Sequence, residues 1–169
     1  MRIYLIGFMG AGKSYWGKIW AEQLQLAWID LDDVVEKKAG QSIEHIFNVQ
    51  GENGFRKLEQ ACLHETARQT NFLCSMGGGA PCHENNMDWI NAHGITVWLD
   101  ASPELLANRL EADANKRPLL RGKSGVQLVQ QIQLMLHMRD PIYQQAQFRL
   151  NTETLHVDSL TELFNQHNS

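Results

Sequence analysis

The chain has 169 residues, with 15 Lys and Arg against 19 Asp and Glu for a net charge of −4, and it is 43% hydrophobic, enough for about one domain with a core of its own. The acidic balance argues against nucleic-acid binding through a broad basic face, and no apolar run approaches the ~18 residues that cross a bilayer. The N-terminus lacks a signal-peptide cleavage site, and Cys62, Cys74 and Cys82 stand in no C-x-x-C spacing, so a reducing cytoplasm fits better than a zinc site or a disulfide framework.

Taken in chain order, Arg2 to Ile6 is a β-branched and aromatic run that stops at Gly7 and reads as a buried strand. A glycine loop follows, and then Trp16, Ile19, Trp20 and Leu24 recur at helical spacing between Ser14 and Gln25. Ala27 to Ile29 predicts a second strand ending at Asp30. Helices are expected over Val34 to Ala39, after Ser42, and over Asn53 to Thr70, with Gly40 and Gly51 as punctuation. Phe72 to Met76 and Gly94 to Leu99 are continuously apolar, as a sheet covered on both faces requires. Ser102 and Pro103 suit the cap and first position of a helix that Leu105, Leu106 and Leu110 continue. The polar, basic stretch from Asp113 to Gly125 is a lid candidate, and an amphipathic helix is expected from Val126 to Arg139. Phe148 to Leu150 and Leu160 to Phe164 predict a last strand and a last helix. Strands alternating with helices imply parallel pairing in a three-layer α/β/α domain, whose ligands bind beyond the carboxyl ends of the strands.

Gly7-Phe8-Met9-Gly10-Ala11-Gly12-Lys13-Ser14 fits G-x-x-x-x-G-K-[ST], with a strand before it and a helix after it. Its backbone N–H groups can turn inward on phosphate oxygens at the positive end of the following helix. Lys13 would reach the β- and γ-phosphates, and Ser14 the Mg²⁺ that accompanies ATP. Asp30 and Asp32 are read as ending the second strand on one face, so that one holds a metal-bound water and the other meets an acceptor hydroxyl. Alone, such a pair is more often a helix cap with a solvated neighbour; the phosphate loop beside it tips the reading to chemistry. Asp33 suits a plain helix start.

Arg56 and Arg139 each sit on a predicted helix, where an arginine usually faces solvent, but together they offer the planar forks that a substrate carboxylate takes. Gly77, Gly78 and Gly79 supply bare backbone donors and close approach, unless they are only a flexible turn. Arg117 is either part of an ordinary basic loop or an arginine finger in cis. The seven histidines show no metal spacing, and Trp16, Trp20 and Trp98 read as core.

In this order the motifs resemble the shikimate kinase family. The resemblance runs from Arg2 to Thr152 and is carried by the glycine loop, Asp30-Leu31-Asp32, Gly51-Glu52 with Phe55-Arg56, Gly77-Gly78-Gly79-Ala80, Arg117-Pro118-Leu119-Leu120 and Arg139-Asp140-Pro141-Ile142-Tyr143. It implies a P-loop kinase fold with a five-stranded parallel sheet and a mobile lid over about 113–125. It implies also a helical segment over about 32–62 that binds substrate, and transfer of the ATP γ-phosphate to the 3-hydroxyl of shikimate. By motif position, Gly10, Ala11, Gly12, Lys13, Ser14 and Tyr15, with Arg109 and Arg117, would hold the nucleotide. Lys13, Asp32 and Arg117 would be catalytic. Ser14 and Asp30 would hold Mg²⁺, and Asp32, Arg56, Gly77, Gly78, Gly79 and Arg139 would bind shikimate. Tyr15 departs from the small hydroxyl residue usual at its position, and Asn151 to Leu155 lacks the basic residue some members place near the adenine. The partners expected are ATP and shikimate, with neither nucleic acid nor membrane, and the chain is expected to be a monomer. A small P-loop kinase for gluconate or a nucleoside monophosphate, or a silent ATP-binding module, are the competing readings.

Overall fold

The computed structural model of the chain describes residues 1–117 and 119–167; Pro118, within the expected lid, lies outside the described residues. Five strands, β1 (Arg2–Ile6), β2 (Ala27–Asp30), β3 (Phe72–Ser75), β4 (Ile95–Asp100) and β5 (Phe148–Asn151), form one sheet in the order β2-β3-β1-β4-β5. Every neighbouring pair is parallel, with Ile3 opposite Leu73 on one side and Ile95 on the other. Each strand is joined to the next in sequence by a connection that carries helix: α1 (Lys13–Gln23), α2 (Leu31–Ala39), α3 (Ile43–Glu65), α4 (Asn86–His93), α5 (Pro103–Leu110) and α6 (Gly125–Tyr143), with α7 (Ser159–His167) after the last strand. The expected α/β fold is the fold observed.

Burial follows the sequence pattern. Ile3, Tyr4, Leu5 and Ile6 of β1, Phe72, Leu73 and Cys74 of β3, and Val97 and Leu99 of β4 are wholly buried, as central strands covered on both faces must be. Trp20 and Trp98 belong to this core, and Trp16 stacks on Trp20 with ring centroids 5.3 Å apart. Cys62 and Cys74 are buried free thiols, and burial pushes both thiols up in pKa.

The topology decides where a ligand can sit. From β1 the chain passes through α1 to β2 on one side, and from β3 it passes through α4 to β4 on the other, so the connections diverge outside the carboxyl ends of β1 and β3. A doubly wound sheet opens its binding crevice at such a divergence. The glycine loop follows β1, and the Gly77 to Gly79 triplet follows β3, so both line that crevice.

Several elements differ from the sequence reading. The helix α2 begins at Leu31, directly after the strand, with Asp30 as its cap: Asp30 Oδ1 accepts from the Asp32 N–H at 3.1 Å. Asp32 therefore stands in a first helical turn, and its nearness to Asp30 comes from a capping turn and not from strand alternation. The two helices expected on either side of Gly51 are both present: α3 is two helical stretches that meet at a kink, where Gly51 holds the non-helical φ 69°, ψ −178°. Helix α3 gives way at Thr66 to a 3-10 turn over Thr66–Arg68, where Thr66 Oγ1 bonds the Leu63 carbonyl at 2.7 Å and the Tyr4 hydroxyl at 3.0 Å. Helix α6 runs past Arg139 through Pro141 to Tyr143, since a proline in a last turn forfeits only one hydrogen bond. Helix α4 was not foreseen, because its sequence Asn86–His93 mixes Met, Trp and Ile with Asn, Asp and His in no clear period.

Candidate active site

The glycine loop is built for close approach of an anion. Gly10 and Gly12 hold φ of 81° and 94°, conformations that side chains with a Cβ rarely adopt, and they turn the loop back so that α1 starts at Lys13. Lys13 is only 8% exposed, and its Nζ donates to the Gly7 and Phe8 carbonyls at 2.9 and 2.8 Å, bridging the loop it belongs to. Burial lowers the Lys13 ammonium to about 8, while the Asp32 and Asp30 carboxylates act to hold it up. Ala11 is buried beneath the loop. Arg109, at the end of α5, donates to the Gly10 carbonyl at 3.1 Å and so clasps the outer rim. Tyr15 is 65% exposed and stands edge-on to Trp16, with centroids 5.2 Å apart.

Ser14 Oγ donates to Asp30 Oδ2 at 2.6 Å, so a hydroxyl and a carboxylate oxygen converge beside the phosphate loop. Hard oxygen donors in small number suit Mg²⁺, which keeps several waters and borrows phosphate oxygens in place of a full protein cage. Among the described residues no cluster of three or more His, Cys, Asp or Glu could hold an ion unaided.

Two cavities open in the crevice. One, of about 290 Å³, is lined by the phosphate loop with Ser14, Tyr15 and Asp30. The other, of about 280 Å³, is lined by Arg56, Glu59, Gly79 and Arg139 and by the apolar Ile43, Phe47 and Phe55. They share Met9, Asp32, Gly77, Gly78 and Arg117. A phosphate loop thus looks across Asp32 and Arg117 into a chamber rich in guanidinium and backbone donors. Desolvation raises the Asp32 carboxyl above its ordinary value, and neighbouring Asp30 adds to this while Lys13 and Arg56 oppose it.

The second chamber is held from three sides. Arg56, on the face of α3, pairs with Glu59 Oε2 at 2.7 Å and Glu52 Oε1 at 3.4 Å. Gly79 leaves room for it, because a Cβ there would overlap the Arg56 guanidinium and force it to shift. Arg139 comes from α6, its guanidinium carbon 5.2 Å from the centre of the Phe8 ring, and its buried Nη1 has no hydrogen-bond partner among the described residues. The buried Tyr143 hydroxyl, one turn on, donates to the Gly78 carbonyl at 2.5 Å and pins the triplet to α6. Of the residues given a site role by motif position, all but Ala11 and Arg109 line one or both cavities.

The sequence reading missed Glu59, Ile43 and Phe47, and it named Phe55 and Tyr143 within motifs without giving either a role in the site. Glu59 left a trace, since it lies three residues after Arg56 on a helix, where opposite charges meet. Its complete burial left none.

The lid candidate is more ordered than its polarity suggests. Glu111–Lys116 is a 3-10 turn, Ala114 and Leu120 are buried, and backbone bonds from Arg117 N to Ala114 O and from Leu120 N to Arg117 O fold the segment on itself.

Comparison with known proteins agrees with this geometry. A family model described as Shikimate kinase matches residues 9–167. A shikimate kinase of Bacteroides thetaiotaomicron is 42% identical over 155 residues, covering 92% of this chain and 89% of that protein. The crystal structure of a shikimate kinase from the same organism superposes with a TM-score of 0.91 at 40% identity over 98% of each chain. That of the Acinetobacter baumannii shikimate kinase, in complex with shikimate, gives 0.86 at 34% identity over 98% of this chain and 91% of that one.

Proposed function

Because the chain belongs to the shikimate kinase family, we propose that it transfers the ATP γ-phosphoryl group to the 3-hydroxyl of shikimate across the junction of the two cavities. The observation that carries the residue roles is that junction: Asp32 and Arg117 face both the phosphate loop and the guanidinium chamber.

The backbone from Gly10 to Tyr15 wraps the phosphates, with Arg109 closing the nucleotide side. Lys13 and Arg117 place positive charge where it develops on the transferring group, which is where preorganised charge lowers a barrier. The burial of Lys13 sharpens this, since its charge acts in a poorly screened site. Asp32 orients the 3-hydroxyl or accepts its proton. Arg56 and Arg139 fork the shikimate carboxylate, and Gly77, Gly78 and Gly79 meet its hydroxyls through backbone groups. Ser14 and Asp30 would hold Mg²⁺, which when bound neutralises phosphate charge. Catalysis on this reading is mostly positioning and charge neutralisation, with the segment over 113–125 closing to exclude water and the helices over 32–62 forming the acid-binding wall. One domain, a monomeric enzyme and a cytoplasmic setting belong to the same proposal, the last supported by the three free thiols.

The test is ADP release from MgATP with shikimate, gluconate and a panel of nucleoside monophosphates as acceptors. Strong turnover with shikimate alone is expected. Preference for another acceptor would move the chain to a different kinase, and tight ATP binding with no turnover would make it a silent nucleotide module.

A further inference from the structure

Glu59 is a buried carboxylate that the transfer reaction itself leaves without a task. It is 0% exposed, its Oε2 holds Arg56 at 2.7 Å, and its Oε1 has no hydrogen-bond partner among the described residues. The orphan oxygen lies against Gly77, where the space of an absent Cβ is bounded by Glu59 Oε1 at 2.6 Å and Asp32 Oδ1 at 3.0 Å. The charged groups facing Glu59 are Arg56 on its own helix, Asp32 from α2 and Arg139 from α6; the Cys62 thiol, on the next turn of α3, is the other titratable neighbour. Before any acid binds, the Arg56 guanidinium is thus already engaged by the acids Glu59 and Glu52.

Docking a further carboxylate on this fork adds negative charge beside a desolvated carboxylate and draws off the cation that stabilises it. Two like charges cannot share one buried cation cheaply, and the more buried of them is neutralised by a proton. We propose that Glu59 takes up a proton from solvent when shikimate binds, so that acid recognition by Arg56 and Arg139 is proton-coupled. The proton goes to the orphan Oε1, leaving Oε2 to accept from Arg56 while the substrate carboxylate takes the rest of the fork. This rests on the proposed placement of the shikimate carboxylate at Arg56 and Arg139. It adds that the site is tuned by pH through a residue that lines the guanidinium chamber and not the phosphate-loop cavity.

Glu59 sits poised for this, because burial raises its carboxyl to about 7 against the pull of Arg56. The sign follows: below that value Glu59 already carries its proton and binding is proton-neutral, and above it each binding event must recruit one. Isothermal titration of the intact protein with shikimate, in buffers of different ionisation enthalpy, reads the proton count directly. Uptake of roughly 0.7 proton at pH 7.5, falling to about 0.1 at pH 6, is expected from a group titrating near 7. The shikimate dissociation constant should rise by up to about tenfold per pH unit above 7. In Glu59→Gln the uptake disappears while shikimate still binds. Should that variant not fold, the methyl ester of shikimate on the unaltered protein serves instead, and it should bind more weakly and without proton uptake.

Heats that do not vary with buffer in the unaltered protein would overturn the proposal, as would an uptake that persists in Glu59→Gln or with the ester. Turnover of shikimate in the ADP-release assay separates the two readings. A protein that phosphorylates shikimate but binds it without proton exchange loses only this inference, whereas one that neither binds nor phosphorylates it loses both.

Discussion

At the scale of single residues, Asp32 decides more than any other side chain. It borders both cavities and faces Lys13, so on the proposed reading it is, among the described residues, the carboxylate placed to act on the acceptor with the phosphates alongside. Asp32→Asn keeps the shape and removes the base, and general-base catalysis contributes about 10²–10⁴-fold. We therefore expect kcat to fall by roughly that factor while ATP affinity, measured by nucleotide titration, changes little. Retained turnover would reassign the role. Gly79 gives a second prediction. The methyl group of Gly79→Ala would displace the Arg56 guanidinium, so KM for shikimate should rise roughly ten- to hundredfold with KM for ATP nearly unchanged. A parallel rise in both constants would mean that the triplet serves the phosphate loop, to which Gly78 is also close, its missing Cβ lying 3.0 Å from the Met9 nitrogen.

Among the elements, the division of labour follows stiffness. The phosphate loop is held by Lys13 bridging two carbonyls, by Arg109 at its rim and by the aromatic row of Tyr15, Trp16 and Trp20 along α1. The acid chamber is held by α6, whose continuation through Pro141 carries Tyr143 to the Gly78 carbonyl. Between them the segment over 113–125 carries short-range backbone turns among its described residues, the bond from the Gly125 N–H to Glu111 Oε1 at 3.4 Å, and the buried side chains of Ala114 and Leu120. Such locally bonded segments open at low free-energy cost. Amide exchange over 113–125 should therefore be fast in the free protein and slow clearly when an ATP analogue and shikimate are both bound. Unchanged exchange there would remove the lid from the mechanism. Arg117 stands inside this segment, so closing it and placing the charge on the transferring group are one event on the proposed reading.

For the whole molecule, the site sets a pH dependence of stability. The Glu59 carboxyl is raised from 4.5 to about 7, so the folded protein holds a proton that the unfolded chain releases, and stability is lost as pH climbs through that window. The Lys13 ammonium is lowered from 10.5 to about 8, so stability is regained between those values as the unfolded chain gives up its proton too. The Glu59 contribution is at most about 3 kcal/mol, which for this chain length corresponds to several degrees in Tm. Thermal melts of the ligand-free protein should decline between pH 5 and 7, and Glu59→Gln should flatten that decline. A melt profile with the same slope in the variant would place the loss in other carboxylates. Function is being purchased here with a buried, incompletely satisfied acid, a cost that binding sites commonly carry.

What the sequence by itself determined was whatever a short stretch of chain can encode. The phosphate loop was legible because its glycines, Lys13 and Ser14 do their work within eight residues between a strand and a helix. The α/β class was legible because buried parallel strands must be continuously apolar. The Ser102–Pro103 helix start and the series of motifs that match the family were readable for the same reason. The tertiary structure alone decided the strand order, which brings the loops after β1 and β3 to one crevice, and with it the meeting of Arg56 from α3 with Arg139 from α6. It decided that Asp32 belongs to a helix capped by Asp30, because whether a strand ends at residue 30 or 32 depends on what packs beyond it. It decided as well that Glu59 is buried. A glutamate beside an arginine on a helix is ordinarily a solvated ion pair, and here Gly77 and Asp32, arriving from distant parts of the chain, close on it where it is fully buried. Local conformation is written in neighbouring residues, but desolvation is a property of everything that surrounds a group, and so the chemistry that depends on it could not be read before the fold was known.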